Sequence, residues 1–233
     1  MNGLEIQALA PILDVSHVQE LERRIAEAGT SLLELMKRAG TALAEAAIEQ
    51  TAPHDRVVIL AGSGNNGGDG WVAAQKLSAA DREVIVIAKS TAQDLTSEPA
   101  RTAALDAVAR KTFAVAISPT DDAVQVTLEG ADLIIDAILG TGFTHDTVRE
   151  PYAAWIHLAN KAHEHGISVI AADCPSGLNA QSGIPATKCV YADKTITMLT
   201  YKPGLLADSA RPYVGTLTLT PLIENVERYF DEA

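Results

Sequence analysis

The chain has 233 residues, of which 47% are hydrophobic, and its formal net charge is −12. This size allows one large α/β domain or two small ones, and the acidity argues against nucleic-acid binding, which needs a basic face. The sequence shows no signal segment and no apolar run long enough to span a bilayer, so we expect a soluble, cytoplasmic protein without membrane contact. Its two cysteines, Cys174 and Cys189, lack the spacing of a disulfide framework or a metal site.

Strand and helix patterns alternate along most of the chain. Residues 14–50 carry apolar side chains at helical spacing on both sides of Gly29, which predicts two helices, the second capped by Thr30 or Ser31. Further helices are predicted at 71–80, 98–111, 148–165 and 222–230. Short apolar runs predict strands at 56–61, 83–88, 113–117, 133–138, 167–172, 194–199 and 216–219. Runs that are apolar on both faces indicate a mainly parallel sheet covered by helices, and therefore a three-layer α/β/α fold.

No linker, repeat or change of composition divides the chain. We therefore predict one domain over 1–233, with N-terminal helices at about 14–50, an α/β core at about 54–220 and a C-terminal helix at about 221–232. Ligands of such sheets bind at the carboxyl ends of the strands. Three polar or glycine-rich segments follow predicted strands, and we expect them to meet at one edge of the sheet: 62–70, 136–146 and 173–183.

The first of these segments reads Gly-Ser-Gly-Asn-Asn-Gly-Gly-Asp-Gly. A glycine-rich turn between a strand and a helix is typical of phosphate binding, because the glycines permit close approach and the helix offers free N–H groups. A dinucleotide site also needs an acidic residue at the end of the second strand, where this chain has Lys89 and Ser90. Asn65, Asn66 and Asp69 do not belong to that fingerprint, although Asp69 could simply cap the following helix.

The other two segments each place an aspartate at a strand. Asp136 lies within an apolar strand, which is costly unless the carboxylate is hydrogen-bonded or bound to a cation. Asp173 directly follows a strand, as catalytic carboxylates often do, although an Asx-turn without chemistry is the alternative. Lys202 follows a further strand and brings a cation towards the same edge, where a solvated lysine at a turn is the more common case.

Together these segments resemble the NAD(P)H-hydrate epimerase family, the YjeF N-terminal domain. The resemblance rests on residues 61–70, 136–143 and 173–178, supported by 35–40, 192–197 and 202–206. It implies a Rossmann-like fold and an isomerase that interconverts the R and S epimers of NADH or NADPH hydrated at nicotinamide C6 (NADHX or NADPHX). A partner NAD(P)H-hydrate dehydratase, fused to this domain in many bacteria, would then restore the cofactor. The resemblance also implies a possible homodimer.

The resemblance further implies a bound potassium ion, with Asn66, Asp136 and Ser176 as its ligands. The residues that it implies for substrate contact are Asn65, Asn66, Gly67, Gly68, Asp69, Gly140, Thr141, Gly142, Phe143, Thr144, His145, Asp146 and Asp173. A carbon bearing both a hydroxyl and a ring nitrogen can epimerise through an iminium ion or through ring opening. Either route needs an acid–base group at the hydroxyl, and we assign that catalytic role to Asp173 as a hypothesis.

Two other functions remain open from the residues. One is an ordinary NAD(P)-dependent oxidoreductase, against which the missing ribose-binding acid and the Asn-Asn-Gly-Gly-Asp run both count. The other is a non-catalytic domain that uses an epimerase-like pocket to bind a nucleotide or a protein. One departure from the family is Lys37, where the family usually has Glu.

Overall fold

A seven-stranded sheet forms the centre of the computed structural model, which describes residues 11–230. All neighbouring strands are parallel, in the order β3-β2-β1-β4-β5-β6-β7. The strands are β1 (Arg56–Ala61), β2 (Glu83–Ala88), β3 (Ala114–Ile117), β4 (Leu133–Ala137), β5 (Ser168–Ala172), β6 (Lys194–Met198) and β7 (Thr216–Thr220). The apolar runs therefore gave the correct strands, and the parallel sheet confirms the α/β class.

Helices cover both faces of the sheet. They are α1 (Val15–Glu27), α2 (Leu32–Ile48), α3 (Asn65–Ala79), α4 (Ala100–Val108), α5 (Asp121–Glu129), α6 (Tyr152–Glu164) and α7 (Arg211–Val214). One core lies between the sheet and helices α2, α3 and α4, and the other lies between the sheet and helices α5 and α6. This arrangement confirms the three-layer prediction. Within residues 11–230, the helices lack the combination of length and hydropathy that a membrane span requires.

Local sequence signals explain where two of the helices begin. The Ser31 side chain accepts a hydrogen bond from the backbone N–H of Glu34, which caps α2. The Thr120 hydroxyl likewise accepts from the N–H of Ala123 and caps α5, a helix that the sequence analysis missed. Its apolar face consists of Val124 and Leu128, one helical turn apart, and both are buried.

The start of one predicted helix is wrong, and another predicted helix does not form. Helix α3 begins at Asn65, inside the glycine-rich segment, and not at residue 71, so Asp69 lies within the helix and does not cap it. The closing helix predicted at 222–230 is also absent as such. Leu222 and Asn225 have positive φ angles of 61° and 53°, which interrupt a right-handed helix, and only a 3₁₀ turn forms at Val226–Tyr229. Residues 1–10 and 231–233 of the predicted domain lie outside the described residues.

The strand order reverses between β1 and β4. From β1 the chain moves outwards to β2 and β3, and it then returns to β4 on the other side of β1. Such a reversal opens a crevice at the carboxyl ends of the two strands, which is the usual ligand site of doubly wound sheets. Here the Gly62 N–H donates to the Ala137 carbonyl oxygen at 2.9 Å, so the segments after β1 and β4 lie side by side.

Candidate functional site

A cavity of about 580 Å³ lies at this crevice, within the usual size range of small-molecule pockets. Apolar side chains from α1, α2 and the loop after β4 form part of its wall, among them Val18, Met36 and Ile138. The predicted site residues that line it are Asn65, Asn66, Asp69, Gly140, Thr141, Gly142, Phe143, His145 and Asp173. All three predicted segments therefore reach one cavity, as the sequence analysis expected.

Four residues assigned to substrate contact by resemblance do not line the cavity. Gly67 and Gly68 are buried in α3, where a Cβ at Gly67 would overlap the carbonyl oxygen of Gly62 and a Cβ at Gly68 would lie 2.5 Å from the Met36 sulfur. Thr144 and Asp146 are exposed on the loop after β4. The two glycines are thus needed for close packing of α3 against its neighbours.

Replacing Gly67 by Ala is expected to destabilise the fold by about 1–3 kcal/mol or more, because its Cβ has no space beside the Gly62 backbone. Gly142→Ala is the matched control, since a Cβ at Gly142 meets nothing within 4 Å. Urea unfolding of both variants measures the difference. Equal stability of the two variants would show that the close approach of Gly67 to Gly62 is not a constraint.

Asp173 and Lys202 form an ion pair at the deep end of the cavity. The Lys202 side chain is only 1% exposed, and its ammonium donates to Asp173 Oδ1 at 2.6 Å, to Thr197 Oγ1 at 3.0 Å and to the Met198 carbonyl at 2.8 Å. The interpretation of Lys202 as a solvated turn residue is therefore wrong. Because these three acceptors use its three N–H bonds, Lys202 is a partner of Asp173 and not a free cation for a pyrophosphate group.

The two oxygens of Asp173 differ in their surroundings. Oδ1 accepts hydrogen bonds from Lys202, from the Thr197 hydroxyl at 3.1 Å and from the Met198 N–H at 3.2 Å. Oδ2 accepts none from residues 11–230, and the side chain remains 16% exposed. Asp173 also has a left-handed backbone, with φ of 60°, which is uncommon outside glycine and frequent at functional sites. The ion pair thus orients a carboxylate whose second oxygen is free to accept a proton.

Two further carboxyl groups line the same cavity, from Asp69 on α3 and Glu22 on α1. Burial, followed by the charges of Asp173 and Glu22, raises the pKa of Asp69 well above its usual value. Burial and then the charge of Asp173 raise the pKa of Glu22 to about 7, and Lys202 opposes both shifts. Glu22 was not predicted from the sequence, because it belongs to no motif and stands beside charged surface residues such as Glu20 and Arg23.

A second group of polar side chains lies beside the cavity, around Asp136. Asp136 is fully buried, and it accepts hydrogen bonds from the Ser176 N–H at 2.7 Å, the Ser176 hydroxyl at 2.5 Å and the Ile138 N–H at 3.2 Å. Burial raises the pKa of Asp136 to about 6, and the hydrogen bonds from Ser176 oppose that shift. The sequence predicted that a buried carboxylate at this position must be hydrogen-bonded or bound to a cation, and Asp136 is hydrogen-bonded.

Asn66 lies next to this group, and its side-chain amide lacks hydrogen-bond partners. It is 8% exposed, yet neither its amide oxygen nor its amide nitrogen has a hydrogen-bond partner within residues 11–230. A Cβ at Gly140 would lie 3.4 Å from Asn66 Oδ1, and the preceding Leu139 N–H donates to Ser176 Oγ at 2.8 Å. The neighbouring residues Leu139 and Gly140 thus approach Ser176 and Asn66 respectively. With Asp136, these side chains offer amide, carboxylate and hydroxyl oxygens, the kinds of ligand that a hard cation prefers.

The family departure at Lys37 lies away from the cavity. Its ammonium is 3.8 Å from Asp106 Oδ2 on α4, and both side chains are about half exposed. Cys174 and Cys189 are buried and unpaired, as the sequence predicted. Burial raises the pKa of both thiols, so neither is an activated nucleophile.

Known proteins are similar to this chain over most of its length. Residues 32–204 match the family described as YjeF-related protein N-terminus. The chain is 36% identical to the NAD(P)H-hydrate epimerase of Pirellula staleyi over 83% of this chain and 84% of the relative. It is 36% identical to the bifunctional NAD(P)H-hydrate repair enzyme Nnr of Escherichia coli over 84% of this chain, but only 36% of that relative.

Among solved structures, the crystal structure of yeast ynu0 superposes with a TM-score of 0.71 over 83% of this chain and 82% of the yeast chain. At 22% sequence identity, that similarity supports the fold. The match to more than half of the chain, together with the identity to the Pirellula staleyi protein, shows the family. The chain belongs to the YjeF-related protein N-terminus family.

Proposed function

We propose that this chain is an NAD(P)H-hydrate epimerase, which interconverts the R and S forms of NADHX and NADPHX at nicotinamide C6. Family membership and the name of the Pirellula staleyi relative support this proposal. The observation that carries it is the pairing of different carboxyl groups in one cavity. Asp173 forms an ion pair through Oδ1, and its Oδ2 has no hydrogen-bond partner within residues 11–230. Burial raises the pKa of Glu22 and of Asp69, which favours the protonated form of both carboxyl groups.

The chemistry of the substrate requires such a pairing. C6 carries a hydroxyl and is bonded to the ring nitrogen, so loss of the hydroxyl leaves an iminium ion that water can attack on either face. A protonated carboxyl assists departure of the hydroxyl, and an ionised carboxylate accepts the proton of the incoming water. The carboxylates around the cavity also stabilise positive charge on the ring nitrogen as it develops. The apolar side chains of the wall reduce the access of bulk water to the ring.

The proposal is tested by giving the protein the purified R epimer of NADPHX and following the S epimer by NMR. We expect the rate of S formation to rise in proportion to the enzyme concentration and to exceed the uncatalysed rate. Absence of any acceleration would refute the proposed activity and favour a binding role. A nicotinamide absorbance change in the presence of a carbonyl compound would instead favour an oxidoreductase.

We further propose that the oxygens of Asn66, Asp136 and Ser176 hold a potassium ion. The unpaired Asn66 amide oxygen and the buried negative charge of Asp136 support this proposal, since a cation would satisfy both. When bound, the ion supplies fixed positive charge next to the loop after β4, which favours an anionic group of the substrate there. The residues themselves position that loop, because the Leu139 N–H donates to Ser176 Oγ.

Potassium is expected to raise the melting temperature of the protein, and Asn66→Ala to abolish that rise. At ten times its dissociation constant, a bound ion stabilises the native state by about 1.4 kcal/mol, which corresponds to roughly 3–6 °C for a chain of this size. Calorimetry in KCl and in N-methylglucamine chloride measures the difference without relying on activity.

Asn65→Ala is the control for this measurement. Asn65 is exposed and its side-chain oxygen accepts from Ser97 Oγ at 3.2 Å, so its loss should leave the potassium effect unchanged. An equal rise in melting temperature for wild type, Asn65→Ala and Asn66→Ala would contradict the assignment of Asn66 as a ligand.

Three wider statements are proposals as well. An NAD(P)H-hydrate dehydratase is proposed as the functional partner, in the same or a separate chain, because the Escherichia coli relative is named a bifunctional NAD(P)H-hydrate repair enzyme; this chain spans about a third of that relative. A cytoplasmic location and a homodimer are proposed alongside it. Cell fractionation and light scattering test the location and the dimer.

A further inference from the structure

Glu22 lies on α1, outside the three loops that carry the other polar residues of the cavity. Its side chain lines the cavity and is partly buried, yet it accepts no hydrogen bond and forms no ion pair within residues 11–230. The other acidic residues of α1 behave differently. Glu20 and Glu27 both pair with Arg23 on the exposed side of the helix. A partly buried carboxyl group that is unpaired and lines a cavity is a candidate for contact with a ligand.

The charged groups around Glu22 come from three other elements. They are Asp69 on α3, Asp173 after β5 and Lys202 after β6. Lys202 already forms an ion pair with Asp173, whereas Glu22 has no such cationic partner within residues 11–230. Burial, together with Asp173, therefore favours the neutral carboxylic acid at Glu22, whose pKa rises to about 7. Glu22 and Asp173 thus differ in their partners across one cavity, since Asp173 is paired with Lys202 and Glu22 is unpaired within residues 11–230.

A second feature of the cavity indicates that it binds a ligand. Asn66, which lines the same cavity, is more than nine-tenths buried and has both amide atoms unpartnered within residues 11–230. Glu22 approaches the cavity from the α1 wall, whereas Asp173 approaches from the edge of the sheet. Two carboxyl groups that reach a bound ring from different walls can act at its two faces.

We propose that Glu22 is the second acid–base residue of the epimerisation and acts on the C6 hydroxyl at the face opposite Asp173. This inference rests on the proposed function. Glu22 donates its proton to the C6 hydroxyl as the C6–O bond breaks, and water leaves while the ring nitrogen lone pair forms the N1=C6 double bond. Water then adds to C6 from the other face, the π pair returns to N1, and Asp173 Oδ2 accepts the proton of the adding water. Asp173 then releases this proton to solvent and Glu22 takes one up from solvent, which restores the starting state.

Glu22 suits this role better than Asp69. A group that gives up and regains a proton in each turnover works best when its pKa lies near the working pH. Burial, and then the charges of Asp173 and Glu22, raise the pKa of Asp69 well above its usual value and so favour its neutral form. Asp69 is therefore suited to donating a fixed hydrogen bond to the substrate and not to releasing a proton.

The test compares Glu22→Gln with Glu27→Gln, an exposed residue on the same helix, in R-to-S exchange from pH 5.5 to 8.5. We expect wild type and Glu27→Gln to lose activity in both directions of the reaction as the pH rises above about 7. The reason is that the fraction of Glu22 that carries a proton falls above its pKa of about 7. Glu22→Gln should lower kcat about 10²–10⁴-fold and change KM less than about threefold. It should also remove the descending limb of the pH–activity profile near pH 7. Glu22→Asp should restore part of kcat and shift the limb.

Three results would overturn the proposal. The first is a Glu22→Gln variant with the kcat and the pH profile of wild type. The second is a change confined to KM with the limb retained, which would make Glu22 a binding residue. The third is the loss of the limb in Asp69→Asn and not in Glu22→Gln, which would assign the proton to Asp69. Inactive wild type would refute the proposed function itself, and a melting curve of each variant separates loss of folding from loss of chemistry.

Discussion

Asp173→Asn is expected to lower kcat for epimer exchange by about 10²–10⁴-fold, because an amide cannot accept the proton of the adding water. The structure leaves Oδ2 of Asp173 without a hydrogen-bond partner within residues 11–230, while Oδ1 is held by Lys202, Thr197 and Met198. Asn keeps the shape of the side chain and one carbonyl oxygen for Lys202. The loss should therefore appear in kcat more than in KM. Exchange rates at saturating substrate, measured by NMR, give the comparison.

Asp208→Asn is the control for this substitution, because Asp208 is 89% exposed and its one ion pair within residues 11–230 is with Arg211 at 2.9 Å. It should retain the wild-type rate. If Asp173→Asn also retained the wild-type rate while remaining folded, Asp173 would have no role in proton transfer, and the hypothesis made from the sequence would be wrong.

Lys202→Met is expected to produce the largest loss of stability, about 3–5 kcal/mol, because it leaves the partly buried Asp173 charge without its cation. Met fills much of the volume of the lysine side chain, so the loss reports the charge and the hydrogen bonds more than a cavity. Lys202 also donates to Thr197 Oγ1 and to the Met198 carbonyl, which lose that donor. Urea unfolding at pH 7 measures the free energy.

A double-mutant cycle separates the ion pair from these other contacts. Asp173→Asn with Lys202→Met removes both charges, and the double variant should be more stable than the sum of the single losses predicts, by about 1–3 kcal/mol. Additive losses would show that the two charges do not depend on each other. In that case, Lys202 would contribute to stability only through Thr197 and Met198.

The sequence predicted the sheet well, because strands of a parallel sheet are buried on both faces and read as continuous apolar runs. The ends of those strands then indicated where the polar segments would meet. The reversal of strand order between β1 and β4 brings the segments after these strands together, and Asp173 follows the neighbouring β5. The position of the site therefore followed from pattern and topology alone.

The start of α3 was predicted less well, for a physical reason. Glycines are poor helix formers, so the run from Gly62 to Gly70 reads as a loop. In the fold, however, Gly67 and Gly68 belong to helix α3. Glycine is required at positions 67 and 68 because a larger residue would overlap Gly62 or Met36. The requirement for close packing outweighs helix propensity, and only the tertiary structure reveals it.

Lys202 and Glu22 show what the sequence could not supply. The run Lys-Pro-Gly at 202–204 looks like a solvated turn, and only the β6 strand and its loop place the Lys202 ammonium beside Asp173. Glu22 stands among charged residues of an amphipathic helix, and nothing in that pattern distinguishes it from Glu20 or Glu27. Lys202 acquires its role from Asp173, which lies 29 residues earlier in the chain, and Glu22 acquires its role from Asp173 and Lys202, which lie in the C-terminal half.

Exchange NMR at equilibrium tests the central claim most directly, namely that carboxyl groups of this cavity interconvert the two epimers at C6. In an equilibrated mixture of R- and S-NADPHX no net reaction is possible, so exchange between their C6 protons reports only turnover between the epimers. We predict exchange peaks that grow with the wild-type enzyme concentration and disappear with Asp173→Asn. Peaks no stronger than those without enzyme, or equally strong with wild type and Asp173→Asn, would contradict the claim.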